Sequence, residues 1–136
     1  MRRIVVDPGV LVSAALSPMG NPAKVIEAVR SGRVVLIVSP HLLAELDDVL
    51  GRPKIEAKLD ADALSVLRHV LAAAPAAEDP VAVPVSRDPK DDYLVALARQ
   101  AGGDCIVSGD ADLTVLDDLV PPVRSPAAFL AELDGF

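Results

Sequence analysis

A chain of 136 residues is long enough for one domain with a real core and too short for two ordinary ones. Hydrophobic residues make up 51% of it, yet charges or prolines interrupt every apolar run, which excludes a helical membrane span. Asp and Glu (20) outnumber Lys and Arg (13), and the net charge of −7 is opposite to the basic footprint expected of a phosphate-binding surface.

In chain order, MRRIVVD has an apolar part of only three residues, too short for a signal peptide. Ile4-Val5-Val6 reads as a short strand buried on both faces, the parallel-sheet kind. It ends on an acid, Asp7, and Pro8-Gly9 then turns the chain into a second apolar run over 10–16. NPAKVIEAVRSG predicts a helix capped by Asn21, with Pro22 in its first turn and Gly32 as its stop. RVVLIVSP predicts a second buried strand over 33–38. Ser39-Pro40 opens another helix, HLLAELDDVLG, ended by Gly51. DADALSVLRHVLAAA is a further helical pattern, with leucines at 64, 67 and 71. Residues 75–89 hold four prolines, and VAVPV within them is a candidate edge strand. DPKDDYLVALARQAGG predicts a helix with Asp88 at the cap and Pro89 next. DCIVSGD is a third buried strand, and PPVRSP a short last one before a C-terminal helix over 126–134. Cys105, the sole cysteine, excludes an internal disulfide and fits a reducing, cytoplasmic setting. Strands alternating with helices predict an α/β fold: a single three-layer domain over 1–136, its mainly parallel central sheet covered by helices on both faces.

Three predicted strands carry an acid or a hydroxyl at the carboxyl end: Asp7, Ser39, and Ser108 with Asp110. Parallel strands bring those ends to one sheet edge, where open α/β sheets place their ligands. At about 100° per residue, Asp91 falls inside the apolar arc of its helix, while Asp92 falls beside Arg99 on the wet side. Alone, Asp91 equally suits a first-turn acid that complements the helix dipole. Glu45 borders the Leu42-Leu46-Leu50 stripe, a position also open to an ordinary solvated acid. As a set, four converging carboxylates repel each other unless protonated or bridged by cations, and hard oxygen ligands suit Mg²⁺ or Mn²⁺. Such a site would account for four of the acids behind the net charge of −7. Other catalytic kits are missing: His41 and His69 have no second histidine at ligand spacing, Cys105 lies within a strand, and no glycine-rich phosphate loop occurs. Aromatic residues (Tyr93, Phe129, Phe136) are too few for a row of base-stacking platforms.

An Asp closing the first strand, a Glu in the helix after the second, DPKDDYLVALA and then IVSGDADL together resemble the PIN domain, the nuclease fold of VapC-type toxins of toxin–antitoxin systems. The resemblance runs over nearly the whole chain, including Arg52-Pro53-Lys54. It implies a Mg²⁺- or Mn²⁺-dependent endoribonuclease acting on single-stranded RNA. By position its metal ligands and catalytic acids are Asp7, Glu45, Asp91 and Asp110, with Asp112 replacing or assisting Asp110. Ser13 and Ser108 fall where the family has a supporting hydroxyl. A cognate antitoxin and a homodimer are further implied partners, and a membrane is not. The opening differs from the family's Asp-Thr-Asn-Val: here Asp7-Pro8-Gly9-Val10 lacks both side chains that help order the first acid, and Pro8 removes a backbone donor.

Two other readings stand beside this one. One is a PIN-fold module that binds metal or RNA without cutting well; the other is a Toprim-like Mg²⁺ domain built on Asp110 and Asp112. Arg52, Lys54 and Lys58, the densest basic cluster, are the expected phosphate contacts. Phe129, Leu130, Leu133 and Phe136 form a terminal apolar stripe that either packs back onto the sheet or faces a second copy.

Overall fold

Successive residues of a strand point to opposite faces of its sheet. Ile4, Val5 and Val6 are nonetheless all fully buried, so both faces of β1 (Arg2–Val6) are covered. The computed structural model describes residues 1–81, 89–110, 114 and 119–135, the side chains of 89–91 excepted. Among these residues the sheet has four parallel strands, in the spatial order β2 (Val34–Leu36), β1, β3 (Cys105–Val107) and β4 (Val123–Arg124). Ile4 pairs with Leu36 on one side and with Cys105 on the other, which aligns the carboxyl ends of β1 and β3. The α/β architecture with a parallel sheet is the one that the alternating pattern predicts.

The run after Asp7 is a helix, α1 (Pro8–Leu16), with Pro8 at its start where a missing N–H costs nothing. α2 (Asn21–Arg30) begins one residue earlier than predicted. Gly20, not Asn21, holds the cap position, and no side chain bonds there. Gly32, with φ +83°, ends α2 in the left-handed region that favours glycine. α3 (Pro40–Leu50) is capped by the Ser39 hydroxyl, which accepts from Leu42 N–H at 3.4 Å. A one-turn helix that the pattern does not predict, α4 (Pro53–Glu56), follows. α5 (Ala61–Ala73) starts on Asp60, whose carboxylate accepts from Ala63 N–H at 2.9 Å. α6 (Pro89–Ala101) packs on β1 and β3, and α7 (Pro126–Asp134) packs on α2 and β4.

Two strand expectations change. β2 stops at Leu36, and Val38 instead makes an isolated parallel bridge with Ala76. That edge contact is one residue long, too short to leave a period-two pattern. Of VAVPV, Val81 belongs to no strand and 82–85 lie outside the described residues.

The core is one apolar cluster running from β1 through Leu42, Leu46 and Leu50 to Phe129. Phe129 is fully buried, with Leu130 and Leu133 half-buried against the core, so this part of the terminal stripe packs inward; Phe136 lies outside the described residues. Cys105 belongs to the core, and burial pushes its thiol up to about 11. Among the described residues no helix is long and apolar enough to cross a membrane.

Candidate active site

Asp7 is both the residue after β1 and the N-cap of α1. Its N–H donates to Val107 O at 2.9 Å, and its carbonyl accepts from Val10 and Leu11 at 2.9 and 3.1 Å. Its side chain is held as firmly. Oδ1 accepts from Gly9 N–H and Oδ2 from the Ser108 hydroxyl, each at 2.9 Å. A backbone amide, a hydroxyl and the start of a helix thus offset the desolvation of a half-buried acid. The side chains missing from Pro8-Gly9 are not needed for this, because Gly9 supplies its amide and Ser108 reaches in from the next strand.

Ser108 sits just past β3 and is fully buried. While donating to Asp7, its oxygen accepts from Asp110 N–H at 3.0 Å. One hydroxyl therefore ties together two acids about a hundred residues apart in sequence. Asp110 is half-buried, and its carbonyl accepts from Thr114 N–H at 3.0 Å. Ser13, the other expected supporting hydroxyl, is used differently. It donates to Gly9 O one turn back in its own helix, at 3.0 Å, a common local alternative for serine.

Glu45 is half-buried on α3, beside the buried Leu42-Leu46-Leu50 stripe, with Asp48 exposed as the helical angles predict. The expectation for α6 needs correction. Asp92 is buried at 7% exposure, whereas Arg99, at nearly the same angle, is exposed. The two lie about 10 Å apart along the axis, and the face covered at the start of α6 is open at its end. Asp91 lies in the first turn of α6, its side chain outside the described residues, as is all of Asp112. Arg52 is exposed and pairs with Asp48 at 3.1 Å; Lys54 and Lys58 are exposed.

A second group of polar residues, which the sequence pattern does not single out, lies where α3 and α6 begin. The Tyr93 hydroxyl donates to Asp79 Oδ1 at 2.5 Å and lies 2.5 Å from the Ser39 hydroxyl; Asp79 Oδ1 also accepts from His41 N–H at 3.0 Å. The Tyr93 and His41 bonds hold the Asp79 carboxyl below the usual range. Burial, then the Asp79 bond, pushes the Tyr93 phenol up to about 12, and the nearby Glu45 charge acts in the same direction. Tyr93 is the sole tyrosine and there is no tryptophan. A near-ultraviolet alkaline titration should therefore give one tyrosinate transition near pH 12 instead of about 10, moving down in Asp79→Asn. Because the folded state holds this proton more tightly, stability from the group is present below pH about 10 and is lost as pH rises towards 12.

The donor chemistry suits a hard divalent cation. A carboxylate offers about four lone-pair positions, and the bonds from Gly9 and Ser108 to Asp7 use one on each oxygen. Among the described residues, no three of His, Cys, Asp and Glu stand close enough to share one ion.

The PIN domain family model matches residues 3–112, and the chain belongs to that family. It therefore carries a nuclease-type fold, which sets aside the Toprim-like reading. It is 25% identical over 145 residues to the uncharacterized protein MJ1680 of Methanocaldococcus jannaschii, covering 98% of this chain and 93% of that one. In fold it is similar to the crystal structure of PAE2754 from Pyrobaculum aerophilum, with a TM-score of 0.60 and 18% identity over 99% of this chain and 91% of that one.

Proposed function

We propose that this protein is a metal-dependent endoribonuclease for single-stranded RNA, and the toxin of a type II toxin–antitoxin pair. The observation that carries the nuclease reading is the Ser108 hydroxyl, which holds Asp7 and positions Asp110 at the carboxyl edge of adjacent parallel strands. Asp7, Asp91 and Asp110 are the proposed ligands of Mg²⁺ or Mn²⁺, with Glu45 as the fourth acid. A bound divalent cation supplies charge neutralisation at the phosphate and eases deprotonation of water. The chain's own part is to hold these oxygens in place. Asp7 is fixed at both carboxylate oxygens and Asp110 through its backbone N–H; Glu45 is the proposed acid that accepts a proton or orients a water. Arg52, Lys54 and Lys58 complete the proposal as phosphate contacts, and a cognate antitoxin and a homodimer as partners.

Calorimetric titration with Mn²⁺ tests the metal set. Binding is expected for the native chain, with a loss of at least tenfold in Asp91→Asn and much less in Asp92→Asn. Unchanged binding in Asp91→Asn removes that residue from the set, and RNA left intact with Mn²⁺ present overturns the enzyme reading in favour of a binding module.

A further inference from the structure

His41 is the second residue of α3 and lies one helical turn before Glu45, on the same side of the helix. Its imidazole is exposed, and among the described residues its ring nitrogens form no hydrogen bond. Its centroid lies 4.6 Å from that of Tyr93, with the rings tilted by 55°. That distance is normal for an aromatic pair in contact. Tyr93 is itself locked by its bonds to Asp79 and Ser39, and Asp79 also grips the His41 backbone. The arrangement holds an exposed ring one helical turn from Glu45, its own hydrogen-bonding edge left open.

We infer that His41, backed by Tyr93, is the platform on which one unpaired nucleobase of the RNA stacks next to the cleaved phosphate. The inference rests on the nuclease reading above. A base fits this place better than a phosphate does. The Asp79 carboxylate, bonded to the His41 N–H and the Tyr93 hydroxyl, places negative charge here, which disfavours a phosphate and leaves a neutral base indifferent. A stack also tolerates any base, because every base has a π-face. With so few aromatic residues in the chain, this is a single platform, not a row.

The test compares native protein, His41→Ala and His41→Phe on a short single-stranded RNA with Mn²⁺. His41→Ala should raise KM about tenfold, with a much smaller effect on kcat and no change in melting temperature. His41→Phe, which keeps the ring and removes the nitrogens, should restore KM to within about twofold of native. An RNA with one abasic nucleotide beside the cut should reproduce the tenfold loss in native protein and add nothing further in His41→Ala. Equal KM in native and His41→Ala overturns the inference, as does an abasic penalty that is undiminished in the variant. Should native protein cut no RNA, the nuclease reading fails on its own. The same variants are then compared for RNA binding in chelator, where an unchanged Kd in His41→Ala overturns the platform and a tenfold weaker one supports it.

Discussion

Asp7→Asn is expected to reduce metal-dependent RNA cleavage to background while leaving the fold intact. The two outcomes separate because Asp7 does two jobs. As the N-cap of α1 its Oδ1 accepts from Gly9 N–H, and asparagine caps as well as aspartate does. The Asn side-chain carbonyl can keep that bond, so the melting temperature should stay within a few degrees. What is lost is the charge, an anionic oxygen for a cation, and the acceptor of the Ser108 hydroxyl proton. Asp7→Ala should lose activity equally and also cost about 1 kcal/mol of stability from the missing cap. Ser108→Ala leaves both carboxylates present but unties them, and a 10- to 100-fold loss is expected, the usual scale for a residue that orients a ligand. Cleavage near the native rate in Asp7→Asn would show that the chemistry is elsewhere.

Phe129→Ala should be the most damaging single core change. Its ring is fully buried and seats α7 against α2 and β4. The Arg2 guanidinium lies over it at 5.1 Å and pairs with Glu132 at 3.5 Å. Emptying this site should cost about 3–5 kcal/mol, about a fifth or more of the stability of a typical domain. The expected fall in melting temperature is about 10–20 °C, with a matching drop in the urea midpoint. Phe129→Leu, which keeps most of the volume, should cost much less. A loss below about 1 kcal/mol in Phe129→Ala would mean that α7 is not anchored by this ring.

Much of the fold can be read from local chemistry. Three β-branched residues in a row mark a strand covered on both faces, and Ser39-Pro40 and Ser125-Pro126 mark helix starts as hydroxyl caps followed by proline. Half of the candidate site is legible for the same reason, because Asp7 and Ser108 sit where buried strands end. The rest depends on long-range contacts. The burial of Asp92 depends on how far a neighbour extends along α6, which an angle around the helix axis cannot report. The Ser39–Tyr93–Asp79–His41 group draws on two helix starts and a connecting segment, with no shared spacing. Only the bond from Ser13 to Gly9 had a local signal, a helical serine with a carbonyl four residues back.

The strand order also sets when this site comes into being. β1 is made first but lies inside the sheet, and the neighbour that carries Ser108 and Asp110 is made about a hundred residues later. Pairing across so long a separation is slow, because the chain loses loop entropy before any contact repays it. Until β3 docks, Asp7 has neither its hydroxyl donor nor its acidic neighbour. A nascent chain whose β3 has not yet left the ribosome therefore lacks the assembled acid pair.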